Sequence, residues 1–149
     1  MENKYFIPDI EDFHIGYECE FKNNMQDNVW KKEICDMDLV SIAFSSWEHE
    51  DTDDKFSDNF RVSYLTKEQI EAEGWELIQI YPKGACIFQK GTKEEGCELT
   101  CDFTEHRVHF TELYFYGLDD EYTRTKLTWR SLECKDINTF RKICKLLEI

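Results

Sequence analysis

The sequence predicts an α+β domain: a curled, mainly antiparallel sheet of about six to eight strands, with a short mid-chain helix and a C-terminal helix packed on one face. Three observations predict it. Short apolar runs separated by turn residues recur from Trp75 to Cys134, a capping signature stands at Thr66–Gln69, and Ile137, Phe140, Ile143, Cys144 and Leu147 share one helical face. A chain of 149 residues is long enough for one core, so a single domain over residues 1–149 is expected.

Pro8 to Phe13 has the composition of a turn or a single helical turn. From there Phe13, Ile15, Tyr17, Cys19 and Phe21 alternate with His14, Gly16, Glu18, Glu20 and Lys22, which predicts a half-buried strand. Asn23 to Asn28 is a turn leading to a second strand near Val29 to Cys35. Over Asp38 to Trp47 the spacing of Leu39, Ile42 and Ala43 is helical while Val40, Ile42 and Phe44 alternate; a short helix is expected. Residues 48–59 hold Glu48, Glu50, Asp51, Asp53, Asp54 and Asp58 against Lys55 alone, so a self-repelling, mobile acidic loop is predicted.

Phe60 to Leu65 is a strand, and in Thr66-Lys67-Glu68-Gln69 the hydroxyl and the amide side chain satisfy opposite free N–H groups. The helix from Lys67 to about Glu73 stops at Gly74. Strands are then expected at Trp75–Tyr81, Gly84–Lys90, Cys97–Phe103, Arg107–Gly117 and Lys126–Cys134, joined by short links that favour antiparallel neighbours. Asp136 caps the final helix.

Composition narrows the function classes. A net charge of −14 alone would suit a disordered acidic tail, but 41% apolar and 15% aromatic residues supply burial that such tails lack. The charge opposes direct nucleic-acid binding, which draws on Lys and Arg to displace counterions. It does suit a protein partner with a basic surface, including one that ordinarily holds a polyphosphate. It is also uneven: residues 1–100 carry 23 acids and 10 bases, residues 101–149 carry 9 and 8. No apolar run reaches the ~20 residues of a membrane span, and the start Met1-Glu2-Asn3-Lys4-Tyr5 lacks a signal peptide's basic and apolar regions, so a cytoplasmic protein is expected. Seven cysteines, an odd number, are then expected to be reduced thiols among apolar neighbours.

Candidate chemistry is sparse. Cys97, Cys101, His106 and His109 are zinc-ligand types within thirteen residues. On a strand, however, positions four apart lie about 13 Å from each other, too far for one ion, so core cysteines and surface histidines are the expectation. His14, Glu18 and Glu20 would share a strand face, a set suited to proton transfer or a divalent ion, but a solvated face is far commoner. Asp51, Asp53 and Asp54 resemble the start of a calcium loop; Phe56 and Val62 stand where its sixth-position Gly and twelfth-position Glu belong. There is no Gly-x-Ser-x-Gly elbow, phosphate-binding glycine loop or Gly-x-Gly-x-x-Gly in the chain. No catalytic residue, cofactor or metal ligand is assigned. Arg107, Arg124 and Arg130, with nearby rings such as Tyr114, Phe115 and Tyr116, are the alternative candidates, for binding a nucleotide-like ligand.

Three segments carry a resemblance: residues 5–18 (YFIPDIEDFHIGYE), 60–75 (FRVSYLTKEQIEAEGW) and 137–147 (INTFRKICKLL). In this order and over most of the chain they resemble small uncharacterised proteins of tailed phages and prophages of gut Bacteroidota, including crAss-like phages. The resemblance carries no catalytic residue. It implies a viral context, with the host-cell cytoplasm as location, and an accessory protein that acts by binding host machinery. The expected function is thus non-enzymatic binding of a macromolecular partner, inhibiting a host protein through the acidic surface at Glu48, Glu50, Asp51, Asp53, Asp54 and Asp58.

Overall fold

A computed structural model describes residues 4–23, 25–49, 55–92, 96–104, 107–115, 124–125 and 132–149. The chain divides into two compact units, Met1–Tyr64 and Leu65–Ile149, each with its own antiparallel sheet and core. The α+β class is as expected. Among the described residues the strands are divided between two sheets where one was predicted, the first four pairing with one another.

The first unit contains β1 (Tyr5–Phe6), a 3-10 turn at Ile10–Asp12, β2 (Glu18–Lys22), β3 (Trp30–Ile34), α1 (Met37–Glu48), α2 (Phe56–Asn59) and β4 (Phe60–Ser63). Its sheet order is β1-β4-β2-β3. The strand expected from His14 begins only at Glu18, since Gly16 adopts φ +94° and residues 15 and 16 form a turn that leaves Ile15 exposed. The ambiguous stretch before Trp47 is a helix: the Asp36 carboxylate accepts from the Leu39 N–H at 2.8 Å, and Leu39 and Ala43 enter the core.

Rings close that core. Phe56 and Phe60 stack at 5.1 Å between centroids, and Phe13 meets both edge-on at 5.6 and 5.3 Å. Phe56 is fully buried, so the expected loop at 48–59 is corrected at both ends. Glu48 completes α1, and residues 56–59 form a helical turn that delivers a ring inward. Burying one large apolar side chain outweighs the tendency of a charged segment to stay loose. Residues 50–54 lie outside the described residues.

The second unit runs α3 (Lys67–Ala72), β5 (Glu76–Ile80), β6 (Ala85–Lys90), β7 (Cys97–Thr104), β8 (Arg107–Phe115), β9 (Arg124–Thr125), β10 (Leu132–Cys134) and α4 (Ile137–Leu147). The sheet order is β10-β8-β7-β6-β5, with β9 also on β8. The capping box forms as read: the Thr66 hydroxyl accepts from the Gln69 N–H at 3.2 Å, and the Gln69 carboxamide oxygen from the Thr66 N–H at 3.0 Å. Gly74, at φ +96°, ends α3. Asp136 caps α4, accepting from the N–H of Thr139 at 3.2 Å. Ile70, Trp75, Phe88, Leu99, Phe110 and Phe140 lead the core, and Ile137, Ile143 and Cys144 of α4 join it.

Among the described residues, two bulges shape this sheet. In β8 the register moves from Leu99 opposite Leu113 and Thr100 opposite Glu112 to Cys101 opposite Phe110, so Thr111 is the extra residue. Val108 and Phe110 therefore share the buried face with Leu113, three positions on where two would be regular. The other bulge places Ile78 as the extra residue of the edge strand β5, where Ile78, Ile80 and the following Tyr81 are exposed.

Two outcomes follow for stability. Phe56→Ala is expected to destabilise by about 3–5 kcal/mol, measured by denaturant unfolding. Deleting Thr111 leaves Phe110 and Leu113 two positions apart, the regular interval, so Val108, Phe110 and Leu113 keep the buried face and the chemical-shift dispersion of the second unit should survive.

Candidate functional site

The acidity belongs chiefly to one unit. Residues 1–64 hold 16 acids and 6 bases, residues 65–149 hold 16 and 12. Glu48 is the last residue of α1 and Asp58 lies in α2; both are exposed. Glu50, Asp51, Asp53 and Asp54, between them in sequence, lie outside the described residues. What fixes the two flanks is an edge-on contact of Trp47 with Phe56, 5.4 Å between centroids at 88°. The six candidate acids thus belong to a segment whose two ends are held against one another by buried and half-exposed rings.

Beside these flanks α1 exposes apolar surface. Met37 is 67% exposed, Ile42 45%, Phe44 44% and Trp47 43%, although Leu39 and Ala43 of the same helix are buried. Asp36, Asp38 and Glu48, all exposed, stand at its two ends. Helical spacing sets Met37, Phe44 and Trp47 to one side of the buried Leu39 and Ala43 and Ile42 to the other, so the helix shows apolar side chains on both flanks of its buried stripe.

The first-strand constellation is not assembled. His14 precedes the Gly16 turn while Glu18 and Glu20 are on β2. Glu20 is engaged elsewhere: its Oε1 accepts from Arg61 Nη2 at 2.9 Å and Nε at 3.3 Å. The Arg61 guanidinium also lies 3.7 Å from the Tyr5 ring centroid and 4.2 Å from that of Trp30. One Arg thereby ties together all four strands of the sheet, from β1 to β3. Sequence reasoning passed over Arg61; its place in an apolar run, Phe60-Arg61-Val62, was the available signal.

The zinc-type set is likewise spread. Cys97 and Cys101 are buried on the core face of β7, whereas His109 pairs with Asp102, one position along from Cys101 and hence on the other face. His106 lies outside the described residues. Among the described residues no group of three His, Cys, Asp or Glu side chains has a metal-holding arrangement. Of the alternative ligand set, Arg107 opens β8 opposite Thr104 and Arg124 pairs with Tyr114, while Arg130 lies outside the described residues. Seven positions of strand, about 23 Å, separate the Arg107 and Tyr114 registers.

Five thiols, Cys86, Cys97, Cys101, Cys134 and Cys144, occupy the second core. Burial pushes each of them up, Cys101 well above the usual thiol range and Cys144 to about 11. Lys67 near Cys86 and Lys90 near Cys97 and Cys144 act in the opposite direction, but burial outweighs them and the protonated thiol is favoured.

No helix among the described residues is long and apolar enough to cross a membrane. No family model, curated protein or solved structure matches the chain.

The thiols make stability depend on pH. The neutral Cys144 thiol is favoured by folding, so its contribution is complete below about pH 9 and is lost as pH rises toward about 11. Thermal unfolding between these values should show wild type losing stability more steeply than Cys144→Ala.

Proposed function

We propose that this chain is a non-enzymatic accessory protein of phage type that binds a macromolecular partner through the acidic, apolar-bordered surface of its first unit, inhibiting a host protein whose own surface is basic. The observation that carries this reading is the convergence at α1 and α2. Exposed Glu48 and Asp58 flank the acidic run, Trp47 and Phe56 hold its ends together, and Met37, Ile42 and Phe44 are exposed on the same helix. Restricting the ends of a charged segment lowers the entropy lost when a partner orders it. The carboxylates would steer a basic partner in, and the apolar side chains would supply the short-range contact that charge alone does not.

Capture from host lysate at low and high salt tests the proposal, with three forms of the chain. Wild type should retain a basic protein at low salt and lose most of it at high salt. Replacing Glu48, Glu50, Asp51, Asp53, Asp54 and Asp58 by their amides should weaken retention at least about tenfold. Neutralising Glu68, Glu71 and Glu76 in the second unit should leave it nearly unchanged. Equal weakening by both variants, or no partner at low salt, overturns the proposal. Clear thermal stabilisation by a nucleotide would instead favour ligand binding.

A further inference from the structure

Cys19 and Cys35 are unlike the other thiols. Cys19 lies in β2 and Cys35 directly follows β3; they point into the core of the first unit with 3% and 2% exposure, and their sulfurs are 3.8 Å apart. The backbone fixes this approach from both sides. The Cys35 N–H donates to the Tyr17 carbonyl at 2.8 Å, and the Cys35 carbonyl accepts from the Gly16 N–H at 2.8 Å. A disulfide requires the sulfurs to close by about 2 Å more, a displacement within reach of side-chain rotation and small backbone adjustment.

We propose that Cys19 and Cys35 form an oxidative modification site, a dithiol that a small hydroperoxide converts to an intramolecular disulfide. The two sulfurs are chemically unequal. Their mutual hydrogen bond favours ionisation of Cys35, lowering it from the usual thiol value, while the same bond and burial hold Cys19 protonated. Cys35 is therefore the attacking sulfur and Cys19 the resolving one.

The Cys35 thiolate attacks one peroxide oxygen, the O–O bond breaks, and the departing hydroxide or alkoxide takes up a proton, leaving Cys35 as a sulfenic acid. Cys19 sulfur then displaces the sulfenic oxygen, which leaves as water with the Cys19 proton. Two thiols lose two electrons and two hydrogens, and the peroxide is reduced by the same two electrons. The product closes the chain between residues 19 and 35, tying β2 to the residue before Asp36, the cap of α1. A dithiol reductant reverses it.

The full chain should be exposed to limiting hydrogen peroxide, denatured, alkylated with iodoacetamide and digested with trypsin. Cleavage at Lys22 and Lys32 puts the two cysteines on different peptides. The expected result is one linked pair, Cys19 with Cys35, lighter by two hydrogens and separated by dithiothreitol, with the other five thiols alkylated. The midpoint of thermal unfolding should rise by several degrees, as a short closed loop restricts the unfolded chain. In Cys19→Ser, shown folded by circular dichroism, dimedone should label Cys35, whereas the wild type gives little adduct. Links scattered over the seven cysteines, a wild-type Cys35 that proceeds to sulfinic acid unlinked, or absence of both link and adduct would overturn the proposal and show a pair of packed apolar thiols.

Discussion

The first unit depends on a contest between ring burial and charge repulsion. Ten more acids than bases on residues 1–64 oppose any compact arrangement, and the opposition is greatest where Glu48 to Asp58 bring six acids together. Phe56 decides the outcome locally. Its ring is enclosed by Phe13, Phe60 and Trp47, so the acidic run starts from one structured helix and ends in another. Arg61 acts on the sheet's other components in a complementary way, setting a cation between two rings and against Glu20. A partly buried arrangement of this kind is stronger than the exposed Lys31–Asp27 pair, whose groups remain well hydrated.

The second unit rests on shape. Its core alternates large rings, such as Phe88, Phe110 and Phe140, with the small volumes of Cys86, Cys101 and Cys134. Thiols fill the narrow spaces between sheet and helix without demanding the strong hydrogen bonds that a buried serine would need. Trp75 differs: its indole N–H is buried without an acceptor among the described residues, while the Lys90 ammonium sits 5.6 Å from its ring. Such an orphaned donor costs about 1–3 kcal/mol, tolerated because the rest of the indole fills the core.

Much of this was legible in the residues because several elements carry local chemical instructions. The capping box at Thr66, the Gly74 stop, the Asp136 cap and the apolar face of α4 all lie where side-chain types alone place them. What was illegible depended on partners distant in sequence. Alternation from Phe13 to Phe21 looked continuous because Ile15 is apolar, yet Gly16 turns the backbone and leaves Ile15 outside. The division into two sheets is set by which strands pair, information that alternation does not contain. Phe56 was hidden by its acidic neighbours, and the nearness of Cys19 to Cys35 follows from the register of β2 against β3, sixteen positions apart. The bulge at Thr111 was visible in principle as the irregular interval between Phe110 and Leu113.

The irregularity at Ile78 has a consequence for the end of the second sheet. A regular edge strand carrying Ile78 and Ile80 outward would present evenly spaced amides beside apolar side chains, a template on which a second strand could grow. The extra residue breaks that spacing and increases the local twist. An added strand would meet donors and acceptors out of step with its own, so this backbone irregularity opposes extension at β5, where Ile78, Ile80 and Tyr81 are exposed.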